Sequence, residues 1–270
     1  MHKDQKVLII GYVWPEPDSS AAGTRMMQLI SISRDQGWQV TFATAAADSE
    51  HRADLQEWGV ESISVEINSS NFDEFLKDLC PDIVVFDRFV TEEQLGWRVA
   101  QHCPNALRIL DTEDLHCLRR TRGKALKENR NFDEKELLNE EVAKREIASI
   151  YRCDMALIIS EAEMELLQSI FNVNTDLLHY LPFLFEEIDE KQRSEWTYFR
   201  ERKDFVTIGN FRHEPNMDAV KYLKKTIWPL IRKELPEAEL HVYGSYPTKE
   251  AMDFHKPEEG FYCKGQGRKR

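Results

Sequence analysis

Phe205–Gly244 reads FVTIGNFRHEPNMDAVKYLKKTIWPLIRKELPEAELHVYG, and its pattern decides the fold. Phe205-Val-Thr-Ile-Gly209 is a short apolar, β-branched run closed by glycine, the pattern of a buried parallel strand. Asn210–Asn216 is a polar loop. From Asp218 to Glu234 the apolar residues Val220, Leu223, Ile227, Leu230 and Ile231 recur at helical spacing. Pro236 ends that helix, because the residue before a proline avoids the helical region. Leu240-His-Val-Tyr-Gly244 is a second strand. A crossover of this length sets the two strands parallel, with a right-handed connection.

The same alternation runs through the chain before it. Lys6–Tyr12 predicts a first buried strand and Gly23–Gln36 a helix with Met26, Met27, Leu29 and Ile30 on one side. Trp38–Thr44 and Val60–Ile67 follow as strands, with a short helix at His51–Trp58 between them. Phe72–Leu79 is helical, stopped by Pro81. Asp82–Asp87, Ala106–Asp111, Asp154–Ser160 and Thr175–Pro182 are further strands, with Thr91–His102, Asp133–Arg152 and Glu161–Phe171 as helices. Thr112–Asn131 is a polar, arginine-rich connection. Strand and helix in regular succession imply an α/β fold, a parallel sheet with helices on both faces. Phe185–Asp204 breaks the succession with many charges and few aliphatic residues, and reads as a linker between domains.

Composition narrows the function. The 270 residues suffice for one large α/β domain or two smaller ones. A formal net charge of −12 argues against a nucleic-acid partner, which needs a basic face. No apolar run is long enough to span a bilayer, and the Met1–Lys6 start is unlike a signal peptide, which points to a cytoplasmic protein. The five cysteines (Cys80, Cys103, Cys117, Cys153, Cys263) are widely spaced, with no C-x-x-C, and read as reduced thiols. The first strand–helix loop lacks G-x-G-x-x-G: Gly11 is followed only distantly by Ala22-Gly23-Thr24-Arg25, which disfavours an NAD enzyme.

The string Gly209-Asn-Phe-Arg-His-Glu-Pro-Asn216, the helix containing Ile227-Trp-Pro229 and the strand ending Val242-Tyr-Gly244 together resemble the start of the donor-binding domain of GT-B glycosyltransferases. Within them, the sequence is most similar to the family-4 group of retaining enzymes. The resemblance implies two Rossmann-like domains: an acceptor-side domain at 1–184, a linker at 185–204 and a nucleotide-sugar-binding domain at 205–270. It implies transfer of a sugar from a nucleotide-sugar donor to a glycan, lipid or small-molecule acceptor, with no cofactor and no bound metal. It is compatible with peripheral membrane contact. By resemblance, Gly23 and Arg25 approach the donor from the first domain, and Gly209, Asn210 and Arg212 from the second. Many family-4 members carry an arginine directly after that glycine and a lysine further on; this chain has Asn210 and Asn216 there.

Asp111-Thr-Glu-Asp114-Leu-His116-Cys-Leu-Arg119-Arg120 begins at the C-terminal end of a strand, where open α/β sheets bind ligands. His116 can exchange a proton near neutral pH, and Arg119 and Arg120 can pair with phosphate or carboxylate. The segment resembles the D-x-x-D-x-H-x-x-R string of the same enzymes, which implies His116, Asp114 and Asp111 as catalytic candidates and Arg119 and Arg120 on the acceptor side. Asp111 and Asp114 do not form a D-x-D pair, so no metal site is indicated. Ser160 with Glu163 reads as a capping box, although Glu163 also stands where the family has the acid of an S-x-x-E pattern.

Two other classes stay open: a binding or interaction protein that keeps only the acceptor domain, and a sugar-nucleotide epimerase, which the missing glycine fingerprint disfavours. After Gly244 come only a weak third strand, Gly260–Lys264, and a basic ending, Gly265–Arg270. The second domain is therefore expected to be incomplete. The apolar side of the Val220–Ile231 helix and one edge of the small sheet should lie uncovered, and the chain should be inactive and prone to self-association.

Overall fold

The structure, a computed structural model, describes residues 4–265. The basic ending Gln266–Arg270 lies outside the described residues. These divide into two compact units: one of residues up to Pro15 with Arg25–Leu184, the other joining Glu16–Thr24 to the segment that begins at Phe185.

The first unit runs β1 (Lys6–Gly11), α1 (Ala21–Asp35), β2 (Gln39–Thr44), β3 (Glu61–Ser64), α2 (Asn71–Leu79), β4 (Ile83–Asp87), α3 (Arg88–His102), β5 (Leu107–Asp111), α4 (His116–Lys127), α5 (Glu141–Arg152), β6 (Met155–Ile158), α6 (Glu161–Ser169) and β7 (Leu178–Tyr180). The first turn of α1 groups with the second unit. The seven strands are parallel, in the order β3-β2-β1-β4-β5-β6-β7. Alternation along β1 splits the core in two. Leu8 and Ile10 pack with Phe72, Leu76, Phe86 and Leu95 on one face, while Val7 and Ile9 pack with Met26, Ile30, Val40 and Phe42 on the other.

Several elements differ from the expectation. The arginine-rich segment after β5 forms α4, because Cys117, Leu118, Thr121 and Ala125 make a buried stripe between its basic residues. The single helix expected over Asp133–Arg152 is a 3₁₀ turn, Glu134–Asn139, followed by α5; Glu140 between them is extended, and an Asp133–Glu136 capping box starts the turn. No helix forms at His51–Trp58, where only Leu55 is buried. The third strand shrinks to four residues, and the last strand of the unit is preceded by a 3₁₀ turn at Thr175–Leu177, capped by Asn174. Ser160 makes no cap, and Glu163 reaches a different amide altogether.

The second unit contains α7 (Glu190–Ser194), β8 (Phe205–Ile208), α8 (Glu214–Tyr222), α9 (Trp228–Glu234), β9 (Leu240–Tyr243), α10 (Lys249–Asp253) and β10 (Phe261–Gly265). Its parallel sheet has the order β10-β9-β8. The run Glu214–Glu234 is helical throughout, with a π turn at Leu223–Ile227. Pro229 lies in that run, and it has no N–H for the helical ladder and crowds the preceding turn, which widens it. Contrary to the expectation, the apolar side of this helix is covered. Met217, Val220 and Trp228 bury against Leu240, Val242, Phe261 and Cys263, and Trp228 Nε1 donates to Glu259 O at 2.7 Å. What stands open is the other sheet face, where Val206 and Ile208 are 64% and 80% exposed.

Candidate functional site

β4 and β5 run side by side with Asp87 opposite Asp111 at their C-terminal ends. Asp111 is fully buried, and burial pushes its carboxyl up to about 6 against the pull of Arg25. Arg25, equally buried on α1, forks onto it: Nε at 2.9 Å and Nη2 at 2.7 Å from Oδ1. Its Nη1 donates to Leu181 O at 2.7 Å. All three nitrogens are thus engaged, and Arg25 acts as the anchor of Asp111 and of the chain after β7. This differs from the donor contact implied for Arg25, and it makes Asp111 a positioning group, since neither side chain reaches the surface.

The turn after β5 carries the rest. Glu113 has a left-handed backbone, φ 62°, and is buried; burial and then the neighbouring Asp111 and Asp87 push its carboxyl up to about 8, so it holds a proton at neutral pH. Asp114 pairs with Arg119 Nε at 2.7 Å; burial works to raise its pKa, but Arg119 outweighs this and keeps it below the usual range. His116 Nε2 lies 3.5 Å from Asp114 Oδ1, and its ring meets Phe89 edge-on with centroids 5.4 Å apart. Burial outweighs the attraction of Asp114 and lowers the imidazole to about 4. His116 is therefore uncharged at neutral pH, and its burial makes it a weaker base than a solvated imidazole. Arg119 lies beside it and Arg120 is exposed.

Two buried acids hold this helix start. Glu146 on α5 accepts from the His116 and Cys117 amides at 2.8 and 2.7 Å, and Glu163 on α6 accepts from the Leu115 amide at 2.9 Å. They take up amides that a helix N-terminus leaves free. Sequence reading did not name Glu146, and it took Glu163 as a capping partner or as the acid of an S-x-x-E pattern, not as a support of the His116 turn. Glu146 lies 30 residues from its partner in a helix rich in charged residues, and no local spacing links them. Asp87 and Glu113 were missed as well, although a charged residue at a strand's C-terminal end is a signal that could have found Asp87.

In the second unit, the Gly209–Arg212 loop and residues 16–24 come together. Asn210 Nδ2 and Ser245 Oγ both donate to Ser19 O, at 3.3 and 2.9 Å, and Tyr246 donates to Glu16 Oε2 at 2.8 Å. Gly209 lies against the Asn216 side chain, and Asn210 Oδ1 accepts from the Arg212 amide. Arg212 stacks on Tyr246 at 3.8 Å, with its guanidinium at the surface. The Gly23 amide donates to Ser20 Oγ at 3.0 Å, and a Cβ on Gly23 would lie 2.4 Å from the Glu16 backbone. The chain's own loop thus accounts for this glycine. Asp204, Glu239 and His241 offer ligand atoms within 4.8 Å of one another. They sit at the N-terminal ends of β8 and β9 and already bond one another: the Glu239 amide donates to Asp204 at 3.0 Å and His241 Nε2 lies 3.1 Å from Glu239.

No family model and no curated protein matches the chain. Solved structures do. The chain is similar to sucrose-phosphate synthase from Thermosynechococcus elongatus, at 13% identity and a TM-score of 0.58, covering 91% of this chain and 63% of that one. It is similar to TarM at 10% identity and a TM-score of 0.62, over 97% of this chain and 77% of the other. It is also similar to the lipopolysaccharide outer core galactosyltransferase WaaB in apo form, at 13% identity and a TM-score of 0.53, over 97% and 68%. The chain thus spans 63% of the length of the synthase it resembles. Among the described residues no helix is long and apolar enough to cross a membrane. With a seven-stranded parallel sheet in one unit and a second parallel sheet in the other, the chain has the GT-B fold, the architecture of these glycosyltransferases.

Proposed function

We propose that this chain takes part in glycosyl transfer, moving a sugar from a nucleotide-sugar donor to a glycan, lipid or small-molecule acceptor. The observation that carries the reading is an uncharged His116 held beside ionised Asp114 at the C-terminal end of a parallel strand, on a GT-B scaffold. An uncharged imidazole can accept a hydrogen bond from an attacking hydroxyl and orient it, while Asp114 partly offsets the burial that disfavours the imidazolium. Glu146 and Glu163 fix the backbone that carries it. In the second unit, Arg212 presents a guanidinium to the diphosphate of the donor. Transfer is metal-independent in this reading: Asp111 is occupied by Arg25 and Asp114 by Arg119, so neither is free to hold a divalent ion.

Calorimetry of the chain with a panel of nucleotide sugars tests the donor half. One nucleotide sugar should bind saturably, and NAD should neither bind nor alter that affinity; NAD binding in its place would sink the reading. For the donor that binds, transfer or hydrolysis is then followed in wild type and His116→Ala. Turnover should fall by about 10²-fold, the scale of a positioned base. A change of only a few fold would leave His116 as a structural residue.

A further inference from the structure

Arg88 is used by nothing described so far. It is the first residue of α3 and directly follows Asp87. Its backbone is left-handed, φ 70°, a conformation that a bulky residue holds only when its surroundings impose it. Glu113, on the turn after the adjoining strand, is the second such residue at this end of the sheet. The Arg88 side chain is only 13% exposed. Its nearest carboxylate oxygen, Asp87 Oδ2, lies 3.6 Å from Nη1, too far for a hydrogen bond, and that oxygen already accepts from the Tyr12 amide at 2.8 Å. The guanidinium stacks on the half-exposed Tyr12 ring at 5.2 Å. Among the described residues, no side-chain donor of Arg88 has a hydrogen-bond acceptor. The other largely buried arginines each donate to a carboxylate: Arg25 is fully engaged by Asp111 and Leu181, and Arg98 donates through Nη1 to Asp73 at 2.6 Å, although its Nε has no partner.

A guanidinium largely shielded from water, whose five donors meet no hydrogen-bond acceptor within the described protein, is a ready receptor for a ligand that brings acceptors. Its planar fork matches two oxygens of a phosphate or a carboxylate. We propose that Arg88 receives an anionic group, a phosphate or a carboxylate, on the ligand taken up by the first unit. This rests on the reading that the first unit binds the acceptor, and it gives that acceptor a chemical class: a molecule carrying a phosphate or a carboxylate. The groups facing Arg88 are Asp87, Glu113, Asp114, His116 and Tyr12, with Asp111 and Arg25 behind them; His116 stays uncharged throughout the range above pH 6. While Glu113 keeps its proton, Arg88 has charge to offer; when Glu113 ionises, a further carboxylate competes for the same guanidinium. Anion binding should therefore weaken as the pH rises through about 8.

The test uses the whole chain without nucleotide, so that it can fail while donor binding succeeds. Calorimetry compares glucose, glucose 6-phosphate and glucuronate, and NMR follows the Arg88 Nε–H resonance. One of the two anionic sugars should bind at least tenfold more tightly than glucose and shift that resonance. Arg88→Gln should remove the difference and Arg88→Lys restore part of it. Glu113→Gln should bind as wild type at neutral pH and abolish the loss above pH 8. A phosphate receptor favours glucose 6-phosphate and a carboxylate receptor glucuronate. Equal affinity for all three, or tight binding that survives in Arg88→Gln, would overturn the proposal. Should Arg88→Gln fail to fold, the wild-type resonance and the pH profile of Glu113→Gln decide it: an unmoved resonance or an unchanged profile overturns it equally.

Discussion

The two units solve the same problem unequally. In the first, a parallel sheet is covered on both faces: Leu8 and Ile10 are buried on one side of β1, Val7 and Ile9 on the other. In the second, Leu240, Val242, Phe261 and Cys263 face the helices, while the opposite face carries largely exposed Val206 and Ile208. Parallel sheets are almost always buried twice over. The contrast shows where each unit keeps its reserve. The second rests on a single apolar layer organised by Trp228, whereas the first can afford buried charge at the end of its sheet because its core is double.

The sharpest way to break this comparison is to remove the anchor. Trp228 is 2% exposed and packs against Phe205 and Phe261. Trp228→Ala should cost about 3–5 kcal/mol. Hydrogen exchange should show protection lost in β8–β10 and kept in β1 and β4; loss in both sheets alike would mean that the units are not independent in stability.

A somewhat smaller effect is expected from Arg25→Met, about 3 kcal/mol in the first unit, because the buried carboxyl of Asp111 loses its partner. Without Arg25 pulling its pKa down, Asp111 limits the damage by holding a proton more tightly than in wild type, so the penalty should shrink as the pH falls toward about 6, where the wild-type group takes its proton as well. Denaturant unfolding across that range measures it, and a penalty that does not shrink in acid would show that lost packing dominates.

Least should follow from charge on the open face. Ile208→Lys should change stability by no more than about 0.5 kcal/mol, whereas Ile9→Lys should prevent the first unit from folding. A loss of 2 kcal/mol or more at Ile208 would show that this face is covered in solution, and the contrast between the units would fall.

The alternation of strands and helices was legible because apolar runs such as Lys6–Gly11 and Ile83–Asp87 are continuous and end in turn residues. The helix α4 was not, because its buried stripe is thin and the arginines between hide it. At the site, Asp111, Asp114 and His116 could be found from their place after a strand. The grip of Arg25 on Asp111 could not, since it joins residues 86 apart. Gly23 stood out as a glycine at a helix start, but what needs the space is the Glu16 backbone, a contact no spacing rule reveals.

The reach of Arg25 also bears on how the protein is made. Its three nitrogens join Asp111, 86 residues on, and Leu181, 156 residues on. Such distant contacts close late, because each must first overcome the entropy of a long loop. On the ribosome, β1 and α1 emerge first, yet the charge on Arg25 has no buried partner until β5 and then the segment after β7 have followed. Until then α1 can rest on the sheet only through Met26, Met27 and Ile30, without the partners that bury Arg25. The contacts that bury Arg25 can therefore close only after Leu181 has been made, which places completion of the first unit late in its own synthesis.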